Sequence, residues 1–346
     1  MTRSLRSLLL CVVGVLPPLL AAAGPARAES LVADGFVKGL PIAQCSGLAQ
    51  SRDGSVLAAV NNTEVVIWDG ASRELRGRAG FSSADGARAV AISPDNQLVA
   101  VGITGAIQLY SAADASVVRK IALPPTGGVN ALAFSPDGKL LAASTGGEDG
   151  KYTIYGDNIF DVASGKRLHQ LARAEVSLRS TTDLAFSPDG KYLAIAIANK
   201  QKGIELYDTA TWQRKAKAAY AKDATRLAFT PDGAMLAVGS IDRMVRIHMI
   251  VEKAVALAKQ FVAHQGAANN DAGYITGLAF TPDGTRLVTG SDDLEGVRLW
   301  DRKTWTQLAS SGHKVNRLTG LVVAPDGKSL LVGGMFAARL QRFRIE

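Results

Sequence analysis

Two cysteines are all that this 346-residue sequence contains, Cys11 and Cys45. A disulfide framework is therefore excluded, and stability must come from burial and hydrogen bonding. Histidine is as scarce. His169, His248, His264 and His313 are the full set, and they do not pair at metal-ligand spacing. The acidic groups Glu148-Asp149, Asp157 and Asp292-Asp293-x-Glu295 lack the D-x-D-x-D-G ladder of a calcium loop, and Asp commonly serves its own turn. No metal site and no cofactor is expected. Also missing are a G-x-S-x-G elbow, a G-x-x-x-x-G-K-[ST] phosphate loop and an H-E-x-x-H pair, so no catalytic constellation is recognisable. Aromatics make up only 6% of the chain.

Long apolar runs are confined to the start. Arg3 and Arg6 precede Leu8–Leu20, which Gly14 and Pro17-Pro18 interrupt, and Ala26-Arg27-Ala28 follows. This is the layout of a secretory signal peptide, with cleavage expected after Ala28 and a periplasmic or secreted product. The run is too short and too broken for a good membrane span, so no span is expected after cleavage. Without residues 1–28 the chain keeps 36 basic and 31 acidic residues, a net charge of +5. Lysine and arginine are scattered, which argues against a nucleic-acid partner. Cys45, just ahead of an apolar strand, reads as a buried structural thiol.

What is abundant is glycine, 35 residues, and a repeat. A turn recurs seven times: SRDG at 51–54, SPDN at 93–96, SPDG at 135–138 and 187–190, TPDG at 230–233 and 281–284, and APDG at 324–327. Its aspartates, from Asp53 to Asp326, are separated by 42, 42, 52, 43, 51 and 43 residues. An apolar strand ends at each turn, as in ALAF at Phe134 or GLAF at Phe280, and another begins after it, as in LLAAS from Leu140 or MLAVG from Met235. Pro presets φ, Asp bonds the backbone ahead and Gly accepts positive φ, so each turn closes a hairpin. A third strand carries an aromatic near its end, as at Trp68, Tyr110, Tyr207 and Trp300, and a more polar fourth strand follows, as in VVRKIAL from Val117. Each unit of about 42 residues is thus a four-stranded antiparallel meander. It cannot cover both its faces alone, whereas seven arranged in a ring can. The fold expected is an all-β, seven-bladed propeller over 29–346.

These units resemble the WD-repeat family and are similar to bacterial propellers whose repeats read SPDG-x-x-L-A-V. The WD dipeptide stands at Trp68-Asp69 and Trp300-Asp301. The resemblance implies structural roles for Trp68, Asp69, His264, Asp293, Trp300, Asp301 and His313. In the family a His before the first strand, a Ser/Thr-x-Asp turn and the Trp are hydrogen-bonded together. Here only the sixth unit keeps His264, the Ser291-Asp292-Asp293 turn and Trp300. The fifth has Ser240-x-Asp242 with His248 in the aromatic slot, and the seventh has His313 with Phe343.

The seventh unit ends after its third strand, so residues 30–38 are expected to supply its fourth by pairing with Leu340–Ile345. Val251–Gln265 has helix-compatible spacing, but the repeat register favours a strand there.

The two long steps locate insertions at Gly146–Asn158, between strands two and three of unit three, and at His264–Tyr274, ahead of unit six. Both fall on one face of the disk, where binding residues gather on a rigid scaffold. Asp149, Tyr152, Tyr155, Asp157, Asn269, Asn270, Asp271 and Tyr274 are the candidate partner-binding residues. The resemblance then implies an exported, monomeric protein-interaction scaffold rather than an enzyme. The alternative is a ligand-binding or enzymatic propeller of the lactonase or quinoprotein type, working through a central channel where Arg88, Asp183, Arg226 and Arg317 could converge.

Overall fold

A computed structural model describes residues 29–346 except 43, 83–85, 124–127, 149–152, 172–178, 200–201, 252–253, 266–272, 292–295, 313–316 and 335–338. The described residues contain strands and turns but no helix, and the strands form seven four-stranded antiparallel sheets. Blades 1 to 6 occupy 47–80, 89–122, 128–170, 179–219, 224–262 and 277–310, each with its strands in sequence order from the axis to the rim. Inner strands of successive blades touch around the ring, and the inner strand of blade 7 touches that of blade 1.

Blade 7 joins the two chain ends. Leu318–Val323, Ser329–Gly334 and Arg339–Ile345 are its inner three strands, and Leu31–Pro41 is its rim strand. Leu31 pairs with Ile345, Val32 with Arg344 and Ala33 with Phe343, and the pairing extends with register shifts to Pro41 opposite Arg339. Ser30 and Glu346 exchange two backbone hydrogen bonds, and the Glu29 carboxylate grips Arg286 of blade 6 at 2.5 and 2.7 Å. The segment that could have been helical is the rim strand of blade 5, Ala254–Val262.

Apolar burial is divided among the seams between blades. Val56 and Ile67 of blade 1 meet Val99 and Tyr110 of blade 2. Val288 and Leu299 of blade 6 meet Leu330 and Phe343 of blade 7, where Leu31 also packs. Seven such clusters, one per seam, encircle the axis. Second and third strands are covered on both faces, which is why their sequences read as unbroken apolar runs. Cys45 is buried at the seam of blades 7 and 1 and donates to the Gly47 carbonyl, and burial raises its thiol to about 12.

The repeated turn explains its own sequence. In blades 1 to 6 the first Ser or Thr hydroxyl bonds the Asp two residues on and accepts the N–H five residues on, as Ser187 does with Asp189 and Tyr192. Ala324 offers no hydroxyl in blade 7. The turns also interlock. Gly138, Gly190, Gly233, Gly284 and Gly327 all have positive φ, and a Cβ added at any of them would lie 3.2–3.8 Å from the turn proline of the preceding blade. The seam of blades 1 and 2 departs from this. Arg52 replaces the proline, Asn96 replaces the glycine at φ 61°, and the Asn96 amide donates across the seam to Asp53 at 2.7 Å.

Candidate functional site

The face that receives the B–C type connections, between second and third strands, was expected to carry two loop insertions. The first is mostly regular structure. In blade 3 the second and third strands run Leu140–Glu148 and Thr153–Asp161, paired without a register break from Leu140/Asp161 to Glu148/Thr153. The extra residues were expected in a loop. Gly146 and Gly147 are instead paired in the ladder, opposite Tyr155 and Ile154. The result is a hairpin longer than those of the neighbouring blades.

The candidate contact residues divide accordingly. Tyr155 lies on that hairpin opposite Gly146. Asp157 is only 3% exposed, on the same strand opposite Ser144, so its carboxylate belongs to the interior of the blade rather than to a contact surface. Tyr274 is half-buried at the approach to blade 6. Asp149, Tyr152, Asn269, Asn270 and Asp271 lie outside the described residues.

At the seam of blades 5 and 6 two of the residues singled out by the family resemblance, His264 and Trp300, meet at a shared hydroxyl. His264 Nε2 lies 2.8 Å from Thr289 Oγ1, and the Trp300 indole N–H donates to the same oxygen at 3.0 Å. Trp300 also packs against Phe261, with ring centroids 4.7 Å apart. Thr289 was not anticipated, although a signal existed. It sits two residues beyond the residue paired with the aromatic slot, where the other blades carry Ala59, Val101, Ala143, Ile195, Val238 and Val332. One hydroxyl among six apolar side chains marks a hydrogen-bond role. Asp293 and His313 lie outside the described residues. Trp68 is fully buried at the seam of blades 7 and 1. Asp69 and Asp301 each accept two backbone N–H groups of the turn that follows, and Arg76 pairs with Asp69 at 2.7 Å.

Blade 5 carries a related cluster. The Tyr220 hydroxyl lies 2.6 Å from His248 Nε2 with the rings stacked, Arg246 sits over the Tyr220 ring, and Asp242 holds Arg246 at 2.6 and 3.2 Å. Burial, with Arg246 adding to it, lowers His248 to about 4, so its ring is neutral at neutral pH. Burial likewise pushes the Tyr220 phenol well above its ordinary value. His248 Nδ1 is buried with no hydrogen-bond partner among the described residues.

Near the axis, one position on each inner strand faces the next blade. It is Gly47, Ala89, Ala131, Gly277 or Gly320 in five blades, because the neighbouring inner strand passes within contact distance. Blades 4 and 5 place Asp183 and Arg226 there. Asp183 accepts the Leu227 and Leu184 N–H groups at 2.8 and 2.9 Å, and Arg226 donates to the Thr225 carbonyl at 2.8 Å. Burial raises the Asp183 carboxyl against the opposing pull of Arg226 and the two N–H groups. Asp183 ties the inner strands of blades 4 and 5 together, whereas Arg226 bonds within its own strand. Arg88 and Arg317 are exposed. Among the described residues no group of three or more His, Cys, Asp or Glu side chains could hold a metal ion.

Comparison with known proteins agrees with this architecture. Residues 258–301 match the family described as WD domain, G-beta repeat, and residues 89–252 match the family described as Eukaryotic translation initiation factor eIF2A. An uncharacterized WD repeat-containing protein of Synechocystis is 29% identical over 159 residues, 44% of this chain and 41% of that protein. The WD repeat-containing protein WDS homolog of Arabidopsis thaliana is 38% identical over 65 residues, 18% of this chain and 12% of that protein. The matched stretches therefore span less than half the length of these relatives. The crystal structure of the Myceliophteria thermophila Cps50 (Swd1) β-propeller domain superposes with a TM-score of 0.73, covering 88% of this chain and 98% of that one at 15% identity, a likeness of fold. With seven four-stranded blades, one stretch that matches the WD-repeat family and a His264–Thr289–Trp300 cluster at the seam of blades 5 and 6, the chain is a seven-bladed β-propeller similar to WD-repeat proteins.

Proposed function

We propose that this propeller is an exported scaffold, cleaved after Ala28 and acting in the periplasm or outside the cell, that receives a protein or peptide partner on the face bearing the blade 3 hairpin. The observation that carries this reading is the hairpin itself. Its ladder continues to Glu148 and Thr153 on a blade whose neighbours stop earlier, so a rigid element is raised above one face. WD-repeat propellers typically serve as interaction scaffolds, and the fold step of the reading is an analogy. The reading as a channel enzyme finds less support. Asp183 and Arg226, the described polar side chains at the seam nearest the axis, are committed to backbone partners.

The test is affinity capture from an envelope extract with the purified chain as bait. Tyr152→Ala, Tyr155→Ala and Tyr274→Ala combined should abolish capture while the melting temperature stays within a few degrees. Capture that survives the triple substitution would dismiss this face as the docking surface. Fractionation for a product beginning at Glu29 tests export independently.

A further inference from the structure

Going beyond the partner-docking reading, we propose that the crevice between blades 2 and 3 binds a small organic acid, with the carboxylate at a basic rim and an apolar stem against the floor. The crevice has a volume of about 430 Å³ and is lined from both blades, within the size range of small-molecule sites.

Comparison with blade 5 shows what is smaller here. The aromatic slot of blade 3 holds Phe160, which has no polar tip. Leu123, following the rim strand of blade 2, stands where Tyr220 stands ahead of blade 5. Four residues before the slot is Gly156, where blade 5 has Met244. At the seam of blades 4 and 5 Tyr220 reaches across to His248, and at the seam of blades 5 and 6 His264 reaches Thr289. At the seam of blades 2 and 3 the crevice remains open.

Its walls have one chemical character. Ile121, Leu123 and Phe160 form an apolar floor, no Asp or Glu among the described residues lines it, and Arg119, Lys120 and Arg167 stand along the rim. Arg119 is held in place by the Ser164 and Ala163 carbonyls, and Asp161 partly offsets its charge. Lys120 has no partner among the described residues, and Arg167 has only Asn158 Oδ1 at 3.5 Å. The Arg167 fork is therefore available to a carboxylate, its best-matched anion. Over Gly156 three polar atoms converge. A Cβ there would lie 3.1 Å from Asn158 Nδ2, 3.3 Å from Gln170 Nε2 and 3.7 Å from Thr145 Oγ1. Asn158 and Thr145 are buried and hydrogen-bonded to each other at 3.2 Å, which fixes this end of the crevice before any ligand arrives.

The probe is phenylbutyrate, with phenylbutyramide as its uncharged counterpart, followed by ligand-observed NMR and calorimetry on the purified chain. An acid of this size should bind with a dissociation constant on the order of 1–3 mM, and the amide about tenfold more weakly. Arg167→Gln, at an exposed position, should weaken the acid about tenfold and leave the amide unchanged. Gly156→Val fills the polar end of the crevice and should remove both, with retention of the melting transition showing that the blade has folded. Equal affinity for acid and amide overturns the proposal. So does binding that survives both substitutions, or no saturable binding of the acid at about five times the expected constant.

Discussion

At the seam of blades 5 and 6 the imidazole comes from the connecting segment, as His264, and the large ring from the third strand, as Trp300, with Thr289 between them. At the seam of blades 4 and 5 the places are exchanged. The ring comes from the connecting segment, as Tyr220, and the imidazole from the third strand, as His248, while Val238 holds the position of Thr289. Either order fills the crevice near the rim. The first shares a single hydroxyl between two partners. The second has no second-strand hydroxyl to share, leaves His248 Nδ1 unpaired and relies on the Arg246–Asp242 pair over the tyrosine. A buried ring position tolerates such exchange because volume is what the seam requires, whereas the hydrogen-bond partners must change together with it.

Four measurements would break or sharpen this comparison. The largest effect is expected from Trp300→Ala, which empties a slot packed by Phe261 and should cost about 3–5 kcal/mol in urea unfolding. Next is pH. His248 titrates near 4 in the folded chain, against an ordinary value of 6.5. The unfolded chain takes up the proton first, so the stabilisation is complete above pH 6.5 and is lost as the pH falls from 6.5 toward 4. The loss should be on the order of 3 kcal/mol. Melting curves between pH 7.5 and 4.5 should show it, and His248→Phe, which keeps a ring in the slot, should flatten the profile. A profile unchanged by that substitution would mean that the seam of blades 4 and 5 is not where the acid sensitivity arises. Third, Thr289→Val should cost about 1–3 kcal/mol, because it strands two buried partners, whereas Val238→Ala removes only volume. Smallest is the lower seam of blades 1 and 2. Asn96→Gly and Arg52→Pro should each destabilise alone, yet together restore the glycine-on-proline contact of the other seams. The coupling energy should be about 1 kcal/mol in a double-mutant cycle.

The fold was legible because its determinants are local and repeated. All seven turns carry an Asp, and six of the seven carry a Ser/Thr hydroxyl and six a positive-φ Gly, so the copies set the blade number. The closing strand was legible from arithmetic, since a seventh unit with three strands needs a fourth. The site was less legible. The insertion that begins at Gly146 read as a loop because its cross-strand pairing, such as Gly147 with Ile154, is not visible along the chain. Asp157 read as an exposed acid for the same reason, as its burial depends on which way one strand of an extended hairpin faces. Thr289 could have been found by aligning the units and asking which apolar column contains a hydroxyl. Tyr220 could not, because it lies in a connecting segment where the repeat has no fixed residue.

Blade 7 sets a timetable for the protein's birth. Its outermost strand is among the first parts of the fold to be synthesised, and the strand it pairs with is the last. At translation rates of 5–20 residues per second, Leu31 must wait about 15–60 s before Ile345 exists. Throughout that interval the growing chain is an open arc with two bare sheet edges, each able to capture a stray strand. A foreign strand that paired with either edge in that interval would compete directly with closure of the ring.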